Sequence, residues 1–278
     1  MKVAIVAHPK KRDAPVAVAR VRESLLAREI EVVLESETAA LLGEKGLKKF
    51  WKGADMVISL GGDGTLLQTL HTIGPTPIPI AGVNIGTLGF LTACTDEEVD
   101  QLSKVIAAGN PQIVERSMLK VEMTEEGGKA HEFIALNEAV LMRGETGRLV
   151  SLEARVDGDL LNEYNADGLL VATPTGSTAY SLAAGGPLIG PRSGVFVVTP
   201  ICPHSMSNRS LVLADDSVIE LTPTGRTDEP ILFSVDGRAI LRIEKGSKVR
   251  VTRHSQVLNL VRLPGHSFYE TLRKKLGW

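Results

Sequence analysis

Apolar residues open the chain in a tight block. KVAIVA (Lys2–Ala7) has a polar start and a short apolar run, which predicts a buried strand. Across residues 14–29, Val16, Val18, Ala19, Val21, Leu25 and Leu26 recur at roughly helical spacing. EVVL (31–34), MVISL (56–60) and Ile78–Val83 predict further strands, with an amphipathic piece around Leu47–Trp51 and a helical LLQTLHTI between them. Thr95 with Glu98 three residues on is a capping-box signature for a helix that Gly109 ends. Strands alternating with helices imply crossover units and a parallel sheet.

After Pro111 the period shortens to two. MLKVEMT, EEGG and KAHEFIALNEAVLM predict a hairpin, and SLEARVDGDLLNEY and ILFSVDGRAILRI each centre on an Asp-Gly turn. KVRVTR and VLNLVRL continue the pattern to Leu263, and SFYETLRKKLGW predicts a short helix returning to the first domain. The expected organisation is an α/β domain over 1–110, a mostly-β domain over 111–263 and a C-terminal helix over 264–278.

Composition narrows the class. At 278 residues the chain fits one large or two medium domains of roughly 100–200 residues. With 31 Lys+Arg against 33 Asp+Glu, a net charge of −2 makes no electrostatic case for nucleic acid or an anionic membrane. No charged residue occurs from Gly64 to Thr95, nor from Gly168 to Pro191. Gln68, Asn84 and three prolines break the first stretch, and Pro174 and several glycines break the second, so neither predicts a membrane span. MKVAIVAHPKKRD has neither the apolar length nor the cleavage site of a signal peptide. Cys94 and Cys202 lack metal-ligand or disulfide-scaffold spacing and are expected as buried small hydrophobes in a cytoplasmic protein. Of the 27 glycines, seven lie in Gly61–Gly89 and five in Gly168–Gly190, which marks both neutral stretches as candidate ligand loops.

The sharpest motif is Gly61-Gly62-Asp63-Gly64-Thr65, between a strand and a helix. Its glycines let backbone approach a ligand, and its N–H groups with the helix N-terminus suit an anion. A carboxylate there would repel phosphate, so it suggests metal binding or proton acceptance from a hydroxyl. A glycine-rich turn with Asp63 as an N-cap would also account for it. The chain has neither GxxxxGK[ST] nor GxGxxG. In DGLLVATPTGSTAYSLAAGG (167–186) a strand enters a turn carrying the hydroxyls of Thr175, Ser177, Thr178 and Tyr180, suited to ribose, amide or adenine recognition. A polar helix cap with Tyr180 in the core is the alternative. Asn137-Glu138, within IALNEAVLM, puts at least one polar group inward, where it needs a partner. His71, His131, His204, His254 and His266 form no HxxxH or HExxH pair; KKRD (10–13) reads as solvated charge, with an approach of Lys10–Arg12 to a donor phosphate as the alternative.

Together, GGDGTLL, GVNIGTLGFL (82–91), LNEAVL (136–141), DGLLVATPTGSTAYSLAAGGP (167–187), CPHSMSNRSLVL (202–213), FSVDG (233–237) and the tail HSFYETLRKKLGW resemble the NAD kinase family, bacterial type. GGDGT alone is shared with diacylglycerol, sphingosine and phosphofructokinase relatives. The long 167–187 segment with LNEAVL is the specific match. The resemblance implies a phosphofructokinase-like first domain and transfer of phosphoryl from ATP, another nucleoside triphosphate or polyphosphate to the adenosine ribose 2′-hydroxyl of NAD⁺, with Mg²⁺ or Mn²⁺. It implies Asp63 as proton acceptor with Gly64 beside it, and Phe90 and Leu91 near adenine. It implies Asn137 and Glu138 on the ribose–pyrophosphate region and Asp167 on the nicotinamide side. Thr175, Thr178, Ala179, Tyr180, Ser181, Leu182 and Ala183 would line the adenosine portion, with Arg148 and Asn165 as neighbours. Asn165 stands where relatives often carry a basic residue, and Arg238 near where many carry glutamine. The resemblance also implies a homodimer or homotetramer. A GGDGT lipid kinase and a non-catalytic dinucleotide sensor are the alternatives, and the hydroxyl-rich 167–187 segment and Asp63 argue against them in turn.

Overall fold

The computed structural model describes residues 1–86, 89–145, 147–225 and 231–278. The chain begins with β1 (Lys2–Ala7), α1 (Ala14–Leu26), β2 (Glu31–Leu34), α2 (Ser36–Ala40), β3 (Met56–Gly61), α3 (Asp63–Ile73) and β4 (Ile80–Asn84). β5 (Cys94–Thr95), α4 (Val99–Ala107) and β6 (Gln112–Arg116) follow. Then come β7 (Leu119–Thr124), β8 (Ala130–Ala135), β9 (Glu138–Met142), β10 (Val150–Val156), β11 (Asp159–Ala166), β12 (Gly168–Ala172), α5 (Tyr180–Ala183) and β13 (Val195–Ile201). The chain ends with β14 (Leu211–Ala214), β15 (Ile219–Pro223), β16 (Ile231–Val235), β17 (Arg238–Ile243), β18 (Lys248–Arg253), β19 (Leu258–Arg262) and α6 (Phe268–Leu276). It divides into two units, residues 1–115 with 258–278, and residues 116–257.

The first unit is an α/β layer structure around a mostly parallel sheet ordered β2-β1-β3-β4-β19-β6, with β5 paired to β4. All of β3 and β4 is buried, as expected of strands covered on both faces. The helical spacing in α1 buries Ala14, Ala17, Val18, Val21 and Leu25, and Pro15 fits its first turn. The Thr95–Glu98 capping box is present in a single 3-10 turn ahead of α4, and Gly109 ends that helix region at φ +69°.

Two expectations fail in this unit. The amphipathic Leu47–Trp51 piece is not a helix: Leu47 makes a single parallel bridge to Glu35 and residues 48–51 form turns, with Gly43 and Gly53 in left-handed conformation interrupting the segment on both sides. The short helix lies earlier, at α2, where the Glu35 carboxylate accepts the Glu37 and Thr38 N–H groups. VLNLVRL, expected to extend the antiparallel series, instead supplies β19, parallel to β4 with Leu260 opposite Ile80. Leu258, Leu260, Val261 and Arg262 are all buried, a two-sided burial that a sheet covered on both faces provides. The expected division at 110 and 263 therefore differs at both ends: β6 and β19 both lie in the first unit's sheet.

The second unit holds two six-stranded antiparallel sheets, β11-β10-β15-β18-β7-β8 and β14-β13-β12-β9-β16-β17. They share one core, in which Leu119, Val121, Leu152 and Leu221 meet Leu141, Leu169, Val171 and Phe196. The first sheet alternates buried and wet positions, as β7 and β15 show, so its outer face is solvated. The second is buried on both faces through β9 and β12, with Val140, Leu170, Ala172 and Val197 packed on Ile189 behind it. Both Asp-Gly turns form as the sequence predicts, Asp157 at φ +53° with Gly158 at +90°, and Asp236 at +48° with Gly237 at +72°. The expected hairpin arm KAHEFIALNEAVLM splits at Leu136-Asn137, β8 joining one sheet and β9 the other.

Candidate active site

In the first unit, β3 delivers the glycine loop to the N-terminus of α3. Gly61 has no room for a side chain, since a Cβ would lie 2.1 Å from Thr65 Oγ1 on the first turn of α3. Asp63 is the first residue of that helix and does not cap it; Gly62 occupies the cap position. Its carboxylate turns to another loop. Oδ2 accepts the Phe90 N–H at 2.9 Å and Oδ1 accepts the Leu91 N–H at 3.0 Å. Gly89 makes space for it, because a Cβ there would lie 2.1 Å from Oδ1. Asp63 is half-buried and Gly64 exposed, so the carboxylate keeps access to a ligand while both oxygens are oriented. Thr87 and Leu88 of this loop lie outside the described residues.

Two cations brace these loops through backbone carbonyls. Lys11 Nζ donates to Gly61 O and Ile85 O, both at 2.7 Å. Arg262, 5% exposed on β19, donates to Phe90 O at 2.6 Å and Thr92 O at 3.0 Å. Burial lowers its pKa, and the negative charge of Asp63 counters that shift. The Phe90 ring packs 5.9 Å from Phe268, and Leu91 is buried, so it offers backbone and not its side chain.

In the second unit, β9 begins where a backbone turn is tied down by Asp236. The Asp236 carboxylate accepts the N–H groups of Leu136 at 2.9 Å, Asn137 at 2.7 Å and Glu138 at 3.1 Å. The 173–178 turn lies against the same backbone: Thr173 N–H donates to Asn137 O at 2.9 Å, and a Cβ on Gly176 would lie 2.2 Å from that oxygen. Glu138 is buried with Oε2 unpartnered, whereas Asn137 is only half-buried. Burial, with the Asp236 charge second, pushes the Glu138 carboxyl up to about 8, against the Tyr180 N–H bond that favours its charged form. Glu138 therefore holds its proton to higher pH than an exposed carboxyl would, with Oε2 enclosed and without a hydrogen-bond partner in the structure.

Tyr180 is 36% exposed, not packed in the core. Burial raises its phenol pKa, and the nearby charges of Cys202, Asp167 and Glu138 add to the rise, which places Glu138, Asp167 and Tyr180 in one neighbourhood. Arg143 Nε pairs with Asp167 Oδ1 at 2.6 Å. Thr175 is buried, and its carbonyl accepts the Thr178 hydroxyl at 3.1 Å. Two hydroxyls serve the fold: Ser177 Oγ bridges Pro174 O and the Ile189 N–H, and buried Ser181 bonds Thr199. Ala179 and Leu182 are half-buried and Ala183 is exposed. Arg148 and Asn165 are exposed, the latter accepting the Ser151 hydroxyl at 2.6 Å. Arg238 opens β17 opposite Val235.

Sequence reasoning missed Arg262, Asp236 and Arg143 as site residues. Arg262 carried a signal, a lone charge in an apolar strand pattern, whereas Asp236 was masked by its turn role. His266 pairs with Glu98 at 2.9 Å and His131 with Glu125 at 2.7 Å. His204 is exposed, with its N–H on Asn165 O at 2.8 Å. Cys94 is buried as expected, its thiol pushed up to about 12 by burial, but Cys202 is exposed. No group of three or more His, Cys, Asp or Glu side chains suited to a metal exists among the described residues.

The ATP-NAD kinase N-terminal domain family matches residues 3–110, and the ATP-NAD kinase C-terminal domain family matches residues 136–263. The NAD kinase of Symbiobacterium thermophilum is 39% identical over 281 residues, covering 99% of each chain. That of Porphyromonas gingivalis is 45% identical over 224 residues, 81% of this chain and 76% of its own. Among solved structures, yeast NADH kinase complexed with NADH matches with a TM-score of 0.90 at 26% identity, over 100% of this chain and 88% of that one. An NAD kinase from Archaeoglobus fulgidus in complex with ATP shares the fold at a TM-score of 0.76 and 24% identity, over 100% of this chain and 98% of that one.

Proposed function

The chain belongs to the NAD kinase family and phosphorylates NAD with ATP, and we propose that the acceptor is the adenosine ribose 2′-hydroxyl, with Asp63 as its proton acceptor. The observation that carries this reading is the Asp63 carboxylate, oriented at both oxygens by the Phe90 and Leu91 N–H groups on a GGDGT loop. Phosphoryl transfer asks a protein for in-line positioning and charge stabilisation more than for covalent chemistry. Asp63 accepts the hydroxyl hydrogen bond, orients the oxygen, and takes the proton as the oxygen bonds to the γ-phosphorus of ATP, while the bond from that phosphorus to the β,γ-bridging oxygen breaks and ADP leaves.

The dinucleotide is held by the second unit's residues. Asn137 and Glu138 hold the ribose and pyrophosphate region, Asn137 through its half-buried amide. Asp167, steadied by Arg143, accepts from the nicotinamide carboxamide, and Thr178, Tyr180 and neighbouring backbone contact the adenosine part. Polyphosphate and nucleoside triphosphates other than ATP are further donors, and NADH is left as an acceptor to be assayed.

A divalent ion suits this chain as cargo of the donor. Mg²⁺ usually rests on one or two carboxylates plus substrate phosphates. The described residues make no multi-ligand cage, while Asp63 is a carboxylate beside a helix N-terminus; it is the residue that would face Mg²⁺ or Mn²⁺ carried by ATP. Bound there, the ion would supply charge neutralisation on the phosphates. No helix among the described residues is long and apolar enough to cross a membrane. The reading includes a cytoplasmic homodimer or homotetramer.

An assay of purified protein with NAD⁺, ATP and Mg²⁺ tests the proposal. NADP⁺, identified by an NADP-specific dehydrogenase, is the expected product. Phosphate appearing at another hydroxyl would overturn the regiochemistry. Tight NAD⁺ binding without product under any donor or metal would overturn the catalytic role of Asp63.

A further inference from the structure

The Phe90–Leu91 peptide group is held at both of its ends. Its carbonyl, Phe90 O, accepts from Arg262 at 2.6 Å, and its N–H, on Leu91, donates to Asp63 Oδ1 at 3.0 Å. Arg262 also fixes Thr92 O, on the far side of Leu91, at 3.0 Å. A guanidinium 5% exposed has given up most of its hydration, and two neutral carbonyls return only part of that cost. An apolar side chain would fill a sheet interior at less expense. What the cation adds is a fixed orientation and polarisation of one peptide plane, since a positive donor on the carbonyl strengthens the N–H at the other end.

We propose that Arg262 is a positioning residue for the reaction, aligning the Phe90–Leu91 peptide so that its N–H aims the Asp63 carboxylate. The proposal rests on the reading of Asp63 as proton acceptor. Arg262 acts through the peptide and, over a longer distance, through its charge on Asp63, and touches no substrate itself. The neighbouring tail contacts do something else: Phe268 meets the Phe90 ring and His266 pairs with Glu98, so neither fixes the peptide plane.

Arg262→Gln and Arg262→Lys separate this role from plain packing. Arg262→Gln is expected to lower kcat by about 10- to 100-fold, the scale of a misplaced catalytic group, with KM for NAD⁺ changed less than about threefold. Arg262→Lys, which keeps the charge but not the fork, should recover part of the loss. In the Asp63→Asn background the same Gln substitution should cost less than about twofold, because the two changes break one device. Losses that multiply in the double variant, or a kcat of Arg262→Gln equal to wild type, would overturn the proposal. A readout independent of turnover is amide hydrogen exchange at Leu91. It should accelerate at least about 10-fold in Arg262→Gln and in Asp63→Ala alike; unchanged protection in Arg262→Gln overturns the proposal. Should wild-type protein form no NADP⁺ while Leu91 exchange responds as stated, the peptide coupling stands and the assignment of Asp63 falls. Should Arg262→Gln fail to fold, Arg262→Lys carries the same measurements.

Discussion

Asp63 and Glu138 each stand at the end of a buried strand, one just past β3 and the other opening β9. Their surroundings are opposite. Asp63 is half-buried and receives a backbone N–H on each oxygen, so its orientation is fixed and its remaining lone pairs face outward. Glu138 is shut in, with Oε2 unpartnered and Asp236 close by, while the three N–H groups that would have stabilised a charge go to Asp236. The same functional group is thus oriented and open at one place, and enclosed and protonated to higher pH at the other. Donor supply and water access decide which.

The comparison breaks most visibly at Asp63. Asp63→Asn keeps the shape and removes the acceptor, so steady-state turnover should fall at least ~10²-fold, with NAD⁺ affinity in calorimetry nearly unchanged. Turnover near wild type would remove its assignment as base.

Glu138→Gln tests the other half through stability. The folded-state carboxyl lies near 8 against an ordinary 4.5, so folding favours its proton. Stability from this group is therefore full below the ordinary value, declines as pH rises between 4.5 and about 8, and levels off above. The Gln variant should flatten that decline by up to several kcal/mol in denaturation series from pH 5 to 9. Identical pH slopes in the two proteins would mean that Glu138 is not held protonated.

Asp236→Ala strips three N–H groups of their acceptor and takes a like charge away from Glu138. A loss of about 2–3 kcal/mol is expected in urea unfolding at pH 7, together with a shallower pH dependence above pH 6. Gly89→Ala is the mildest change, because the backbone there suits alanine, but its methyl group lands on the Asp63 carboxylate. A kcat about 10-fold lower with little change in melting temperature is the expected result; unaltered kcat would show that Asp63 tolerates displacement.

Much of the architecture was legible where local signals agreed. The α1 helix, the Thr95–Glu98 capping box and both Asp-Gly hairpins depend on neighbours within a few residues and all form, although the buried stripe of α1 runs through Ala14, Ala17, Val18, Val21 and Leu25 and leaves Val16 and Leu26 exposed. Asp63, Asn137-Glu138 and the 167–187 turn stood out because glycine or polar groups interrupt apolar runs. What escaped depended on distant pairing. Arg262 meets Phe90 and Thr92 across more than 160 residues of sequence, and Asp236 meets Leu136 across about 100. β19 shows the same limit, since a buried parallel strand and one arm of a hairpin share an apolar composition.

The amino-acid sequence by itself determined the layered α/β and antiparallel units, the position of the glycine loop and the family to which the chain belongs. These follow from periodicity, turn chemistry and contiguous motifs, which are local along the chain. The tertiary structure decided how each carboxylate is used. Whether a carboxyl accepts a proton or keeps one depends on which N–H groups reach it, how much water it retains and which charge lies beside it. At Asp63 and Glu138 these are set by backbone from remote segments, and no local pattern encodes them.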